Sequence, residues 1–152
     1  MLAAGSTRVG PPSHPFRAVK LQSPSPALLR LLDRKLDTLE KLELVLMLRD
    51  APGPLTLQHV AVELQVGHEV LRRLVDEVAR TGLIEWMADD ELRLQAEPDE
   101  LETIDEAARI LGEDRTRMST LFSTLAIERI RTMAARTFAE AFKIRKKPDD
   151  DG

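Results

Sequence analysis

Between residues 37 and 95 the apolar positions run first at helical spacing and then alternate. Leu39, Leu42, Val45, Leu46 and Leu48 give Asp37–Asp50 a broad apolar face, and Pro52-Gly53-Pro54 ends that helix. Asp37 is the expected N-cap, with Glu40 completing a capping box, unless one helix runs unbroken from Pro26 to Asp50. Thr56 is a good N-cap for a short helix, Leu57–Leu64, whose buried side is Val60, Ala61 and Leu64. A polar turn follows at Gln65-Val66-Gly67, where glycine's conformational tolerance is useful. His68–Arg80 is the next helix. Val70, Leu71, Leu74, Val75 and Val78 fall on one side of it and are assigned to the core. Gly82 closes it. An apolar strand, Leu83–Met87, and an alternating strand, Leu92–Gln95, then flank the acidic turn Ala88–Glu91. Leu83, Ile84, Leu92 and Leu94 are its apolar contributors. Alternation sets Glu85 opposite Ile84 and Trp86, and Trp86 is expected against a neighbouring helix.

Helical pattern flanks this unit on both sides. Upstream, Pro26 suits a first helical turn, and Leu28, Leu29, Leu31, Leu32 and Leu36 make a leucine-rich segment. Ala27–Lys35 is therefore an extra helix, serving either the core or dimer contacts. Downstream, Pro98 with Asp99, Glu100 and Glu102 marks a helix start. Leu101, Ile104, Ala108 and Leu111 are its inner stripe, and Gly112 its end. Asp114 can cap a last helix reaching about Lys146. Met118, Leu121, Phe122 and Leu125 share one side of that helix. Ile127, Ile130, Ala134, Phe138 and Ala141 lie on another, rotated well past a right angle. Drift against a heptad is only about 20° per seven residues. The helix therefore breaks near Thr124 or meets two different partners, the second being another subunit.

The expected fold is mostly α with a small β-hairpin: a winged helix-turn-helix with flanking N- and C-terminal helices. Residues 1–26 read as a flexible arm rich in Gly, Pro and Ser, with Arg8, Arg17 and Lys20 able to touch phosphates. Residues 27–96 form the winged-helix domain with its leading helix. Residues 97–147 are C-terminal helices for dimerisation, and 148–152 an acidic tail.

Charge sharpens this division. Residues 1–36 carry +5, residues 37–96 carry −6 and residues 97–152 carry −3, within a net −4 over the 152 residues. No cysteine is present, which excludes disulfides, thiol catalysis and Cys-based zinc sites. His14, His59 and His68 lack ligand spacing, so no metal or other cofactor is expected. Aromatics are 3% of the chain, too few for extensive base stacking. No apolar run approaches the ~18 residues of a membrane span, and the N-terminal stretch is broken by Gly, Pro and Arg. A cytoplasmic protein with no membrane partner is expected. No phosphate-binding loop, dinucleotide turn, nucleophile elbow or zinc-protease motif occurs, and no catalytic residue is assigned.

In a helix-turn-helix the second helix enters the major groove. Here that is His68–Arg80, with Glu69, Arg72, Arg73, Asp76 and Arg80 outward and His68 and Glu77 at the edges. Arg72 and Arg73 are candidate base or phosphate contacts, since an Arg fork can bond guanine O6 and N7 together. The expected DNA-binding set is His68, Glu69, Arg72, Arg73, Arg80 and Arg93. Three i,i+4 pairs oppose it: Glu69–Arg73, Arg72–Asp76 and Asp76–Arg80. The wing tip, Asp89-Asp90-Glu91, would be repelled by phosphates. A second basic concentration lies along Arg129, Arg136 and Lys143, joined by Arg131, Arg145, Lys146 and Lys147.

Leu39-Glu40-Lys41-Leu42, Leu55–Ala61, and Val70–Val78 running into Gly82-Leu83-Ile84-Glu85 resemble winged-helix transcriptional regulators, most closely the MarR-like group. The resemblance implies double-stranded DNA binding by a homodimer, with recognition positions on Glu69, Arg72 and Arg73. The chain departs from that pattern in its short acidic wing, and beyond Glu97 the match is general helicity. Residues 138–147 also resemble the ending of small bacterial winged-helix proteins. Two functions follow. One is a DNA-binding transcriptional regulator acting as a winged-helix dimer. The other is a winged-helix adaptor that binds a protein partner and not DNA.

Overall fold

The structure, a computed structural model, describes residues 23–151, with side chains described up to Lys143. Residues 1–22 of the expected arm, with Arg8, Arg17 and Lys20, lie outside the described residues. Six helices and three short strands follow: α1 (Pro26–Arg34), α2 (Leu39–Asp50), β1 (Leu55–Thr56), α3 (Leu57–Leu64), α4 (His68–Arg80), β2 (Ile84–Trp86), β3 (Glu91–Leu94), α5 (Pro98–Glu113) and α6 (Arg115–Asp151). α3, its turn and α4 form the helix-turn-helix, and β2–β3 the wing.

Each helix start has a local cause. Ser25 caps α1 with its hydroxyl, and Pro26 occupies the first turn, where its missing N–H costs nothing. The chain breaks at Lys35–Asp37, so no single helix spans Pro26–Asp50. Thr38, not Asp37, caps α2 by accepting from the Lys41 amide. Asp37 lies outside the helix and instead accepts from Lys41 Nζ at 2.8 Å. Thr56 caps α3 as expected. Glu97 and Glu100 make a capping box at the start of α5, and Asp114 caps α6 through the Arg117 amide. α5 continues one residue past Gly112.

The sheet has the order β1-β3-β2, antiparallel throughout. Leu55 pairs Leu92 and Thr56 pairs Glu91, which seats the wing on the entry to α3. On the other side Ile84 pairs Leu94, Glu85 pairs Arg93 and Trp86 pairs Leu92. The first hairpin strand is shorter than Leu83–Met87, the second keeps its four residues but starts one earlier, at Glu91, and β1 was not foreseen. Gly82 has φ +92°, a conformation that glycine takes without penalty, and it turns the chain from α4 into β2.

One core runs through the described residues. Leu28, Leu32, Leu36, Leu42, Leu44, Val45, Leu71, Val75, Leu83, Leu92, Ile104 and Met118 are fully buried in it. Leu28, Leu31 and Leu32 of α1 thus serve the core, while Leu29 is only partly buried and stays outside it. α5 contributes Ile104, Ala107 and Ile110, while Leu101 is 36% exposed. Polar ties brace the elements. Ser25 donates from its amide and hydroxyl to Glu106 at 2.9 and 2.6 Å. Arg49 reaches Asp105 at 3.1 Å, and Arg115 reaches Glu43 at 2.8 Å.

Lys35 of α1 pairs with Glu100 at the start of α5. Burial alone would raise the Glu100 carboxyl. The bonds from Lys35 and from the Glu97 amide outweigh it and hold the group below the ordinary carboxylate range. A lowered folded pKa stabilises above the unfolded value and is lost as pH falls through the folded one. Glu100→Gln is therefore expected to lower the melting temperature at neutral pH by roughly 2–4 °C, a loss of about 1 kcal/mol. The gap to wild type should close as the pH falls below the carboxylate range, which thermal melts across pH check.

α6 is one unbroken helix of 37 residues, about 55 Å long. It continues past Lys146, so residues 148–151 extend the helix. No break occurs near Thr124. Instead its apolar stripe changes sides within one continuous helix. Met118 is buried, and Leu121, Phe122 and Leu125 pack partly on the core. Beyond them Ile127, Ile130, Met133, Phe138 and Phe142 are exposed. No described helix is long and apolar enough to cross a membrane.

Candidate nucleic-acid interface

The turn before α4 sets the direction of the helix. Gln65, not Gly67, takes the left-handed conformation, with φ 59°. Gly67 is the N-cap of α4 with extended backbone and ordinary φ −71°. Lacking a side chain, it leaves the first amides of α4 without a side-chain cap. The Gly67 carbonyl accepts the first helical bond, from Leu71 N at 2.9 Å.

α4 is held from below by Leu71, Val75 and Val78, all fully buried. Lys41 of α2 fixes its side, bonding Glu77 at 3.0 Å and Asp37 at 2.8 Å. Burial would lower the Lys41 ammonium, but the hydrogen bonds and charges of those two carboxylates outweigh it and raise it. Glu77 is therefore engaged inward. His68, Glu69, Arg72, Arg73, Asp76 and Arg80 are exposed, as the periodicity had them. Val70 is not in the core: it is 51% exposed.

The three expected i,i+4 pairs do not form. Arg72 turns to the wing, where Nη2 donates to Asp90 Oδ2 at 3.3 Å. Its guanidinium lies over the Trp86 ring, 5.4 Å from the centroid. Asp76 accepts from Trp86 Nε1 at 2.9 Å, which also confirms that Trp86 packs on a helix. Trp86 thus links Arg72 and Asp76 on one flank of α4. Arg73 and Arg80 make no ion pair among the described residues. Asp89 and Asp90 have φ 60° and 57°, and the tip closes through Met87 N to Glu91 O at 2.7 Å. Asp tolerates this left-handed region better than most residues. Arg93 is spent on its cross-strand neighbour Glu85.

The C-terminal basic stripe also divides. Arg129 donates to the Asp33 carboxylate at 2.8 Å and to the Asp33 carbonyl at 3.3 Å, tying α6 to α1. Arg131, Arg136 and Lys143 are exposed. Ile127, Ile130, Ala134, Phe138 and Ala141 all face water in the single chain. Phe138 and Phe142 stack with centroids 6.4 Å apart.

A winged helix-turn-helix is therefore what the chain's own topology shows. No family model matches the chain, and no curated protein matches its sequence. Among solved structures it is similar to Sco5413, a MarR family transcriptional regulator from Streptomyces coelicolor. Identity is 18%, covering 82% of this chain and 98% of that one, with a TM-score of 0.46. MepR, a transcription regulator of the Staphylococcus aureus multidrug efflux pump MepA, is 18% identical over 85% of this chain and 97% of its own (TM-score 0.42). The PcaV transcriptional regulator from Streptomyces coelicolor, in complex with its natural ligand, is 21% identical over 93% and 99% (TM-score 0.43).

Three features escaped the sequence reading. The Arg72–Asp90 contact spans 18 positions and the Trp86–Asp76 bond spans 10, so local spacing carries no trace of either. The exposure of Val70 had a weak signal. At 100° per residue it sits at the rim of the apolar arc, about 80° past the last fully buried position on its side.

Proposed function

We propose that the protein is a DNA-binding transcriptional regulator that acts as a winged-helix homodimer. The observation that carries this reading is the outer face of α4. Arg73 and Arg80 project from it without ion-pair partners among the described residues, beside exposed His68, Glu69 and Val70. Exposed arginines on the second helix of a helix-turn-helix suit the major groove. The uncapped amides behind Gly67 suit a backbone phosphate. The dimer rests on the distal stripe of α6: Ile127, Ile130, Ala134, Phe138 and Ala141. A second copy would bring the same stripe to it by two-fold symmetry.

An adaptor function has one observation in its favour, the acidic wing tip. Asp89, Asp90 and Glu91 stand beside α4, and Asp90 already holds Arg72. In the regulator reading, Arg72 exchanges this carboxylate for a phosphate when DNA arrives. Asp90→Asn should then raise DNA affinity about tenfold for the dimer, since an exposed pair is worth at most about 1 kcal/mol per subunit. Most of that gain should vanish in an Arg72→Ala background. A gain of equal size in both backgrounds would mean that Asp90 acts by repelling phosphates and does not compete for Arg72.

The reading itself is tested by enriching genomic fragments with the full-length protein and titrating them by fluorescence anisotropy. The expected result is tighter binding to recovered fragments than to random duplex at moderate salt. Equal, weak binding to both overturns the regulator and favours the adaptor, with the α4 face as its docking surface.

A further inference from the structure

We propose that Val70 is a specificity-determining residue, packing on a thymine methyl group one base step from a guanine held by Arg73. The inference rests on α4 being the DNA-reading helix.

Val70 stands apart from the other apolar residues of α4. Leu71, Val75 and Val78 are fully buried and Leu74 partly so, while Val70 is 51% exposed. The core does not need it, because α4 is anchored without it. It lies in the first turn of α4, between exposed Glu69 and exposed Arg73, on the flank away from the wing. That flank is free of the contacts that engage Arg72 and Asp76 with Trp86 and Asp90. Val62 is also exposed, at 62%, but it belongs to α3. The first helix of the motif crosses the backbone and does not enter the groove.

The major groove offers two kinds of feature. Hydrogen-bonding edges can be read by polar side chains, and the thymine C5-methyl can be read only by apolar contact. Val70 is the single exposed large apolar side chain of α4 among the described residues, so it is the one that can take a methyl. Arg73, without an ion-pair partner, can fork onto guanine O6 and N7. Val70 and Arg73 are three residues apart, about 4.5 Å along the helix axis. Neighbouring base pairs are separated by about 3.4 Å. The two side chains therefore address adjacent pairs, and each half-site should hold a thymine next to a guanine, counted on either strand.

The test uses the full-length protein and a fragment that it has itself enriched. Each thymine is replaced in turn by deoxyuridine, which removes the methyl and leaves every hydrogen bond intact. Wild type should lose about fourfold in affinity at one thymine per half-site, the loss expected for one unburied methyl. Val70→Ala, which removes the contact in both half-sites of the homodimer, should lose about fifteenfold on the unmodified duplex and be indifferent to deoxyuridine at that position. Alanine is the better helix former, so the variant keeps its fold. Sensitivity at no thymine, or equal sensitivity in wild type and Val70→Ala, overturns the inference while leaving arginine-dependent DNA binding in place. Failure of wild type to prefer any duplex over random DNA overturns both this inference and the reading beneath it.

Discussion

Replacing Ile130 and Phe138 together by glutamate is expected to convert the dimer to a monomer without unfolding the winged helix. Both side chains are mostly in water in the single chain, at 65% and 72% exposure, so the fold does not depend on them. The dimer would. Burying an Ile or Phe contributes about 1.5–3 kcal/mol, and two-fold symmetry counts each position twice. One substitution therefore costs roughly 3–6 kcal/mol of association, and even its lower end is about a hundredfold in dissociation constant. Sedimentation should show a dimer for wild type and a monomer for Ile130→Glu/Phe138→Glu at the same concentration. The melting transition of the core around Leu71, Val75 and Ile104 should survive. Wild type that sediments as a monomer at high concentration contradicts the proposal.

The second large effect concerns the arginines of α4. They were equivalent in sequence, but the fold separates them. Arg72 is held by Asp90 and Trp86, and Arg73 is unpaired among the described residues. Removing a base-reading Arg costs about 1–3 kcal/mol, or about 2–6 kcal/mol for a dimer, and reversing its charge adds repulsion. Arg73→Glu should therefore weaken binding to an enriched fragment by at least about thirtyfold. Arg72→Glu alone should cost less, because the wild-type guanidinium must first leave its carboxylate. Arg72→Glu/Arg73→Glu should abolish binding. Anisotropy titrations that rank Arg72→Glu as the more damaging single change would contradict the geometry.

Much of the fold was legible because it follows local rules. The spacing of Leu71, Val75 and Val78, with Gly82 beyond, marks α4 from His68 to Arg80. Thr56 announces α3, and Asp114 announces α6. The change of apolar side along α6 was readable from angles alone, because it is a property of one helix. Other features depend on neighbours distant in sequence. β1 is two residues long and exists only because Leu92 and Glu91 pair with it. The cap of α2 moved to Thr38 because Asp37 stands outside the helix, on Lys41, the lysine that also holds Glu77. At the candidate interface the residues were foreseen and their partners were not. Sequence spacing set Asp76 against the arginines, whereas the wing brings Trp86 to Asp76 and Asp90 to Arg72. That rearrangement leaves Arg73 and Arg80 available, where the sequence suggested a neutralised face.

A hydroxyl-radical footprint of the full-length protein on an enriched fragment tests the central claim most directly, since it reports DNA contact and symmetry at once. Two recognition helices related by a two-fold axis should protect two patches whose centres lie about 10 base pairs, or a multiple of it, apart. The sequence between them should be close to palindromic. Ile130→Glu/Phe138→Glu should lose the paired pattern. A uniform ladder with no protected patch, or a single patch that survives the loss of the dimer, would contradict the account.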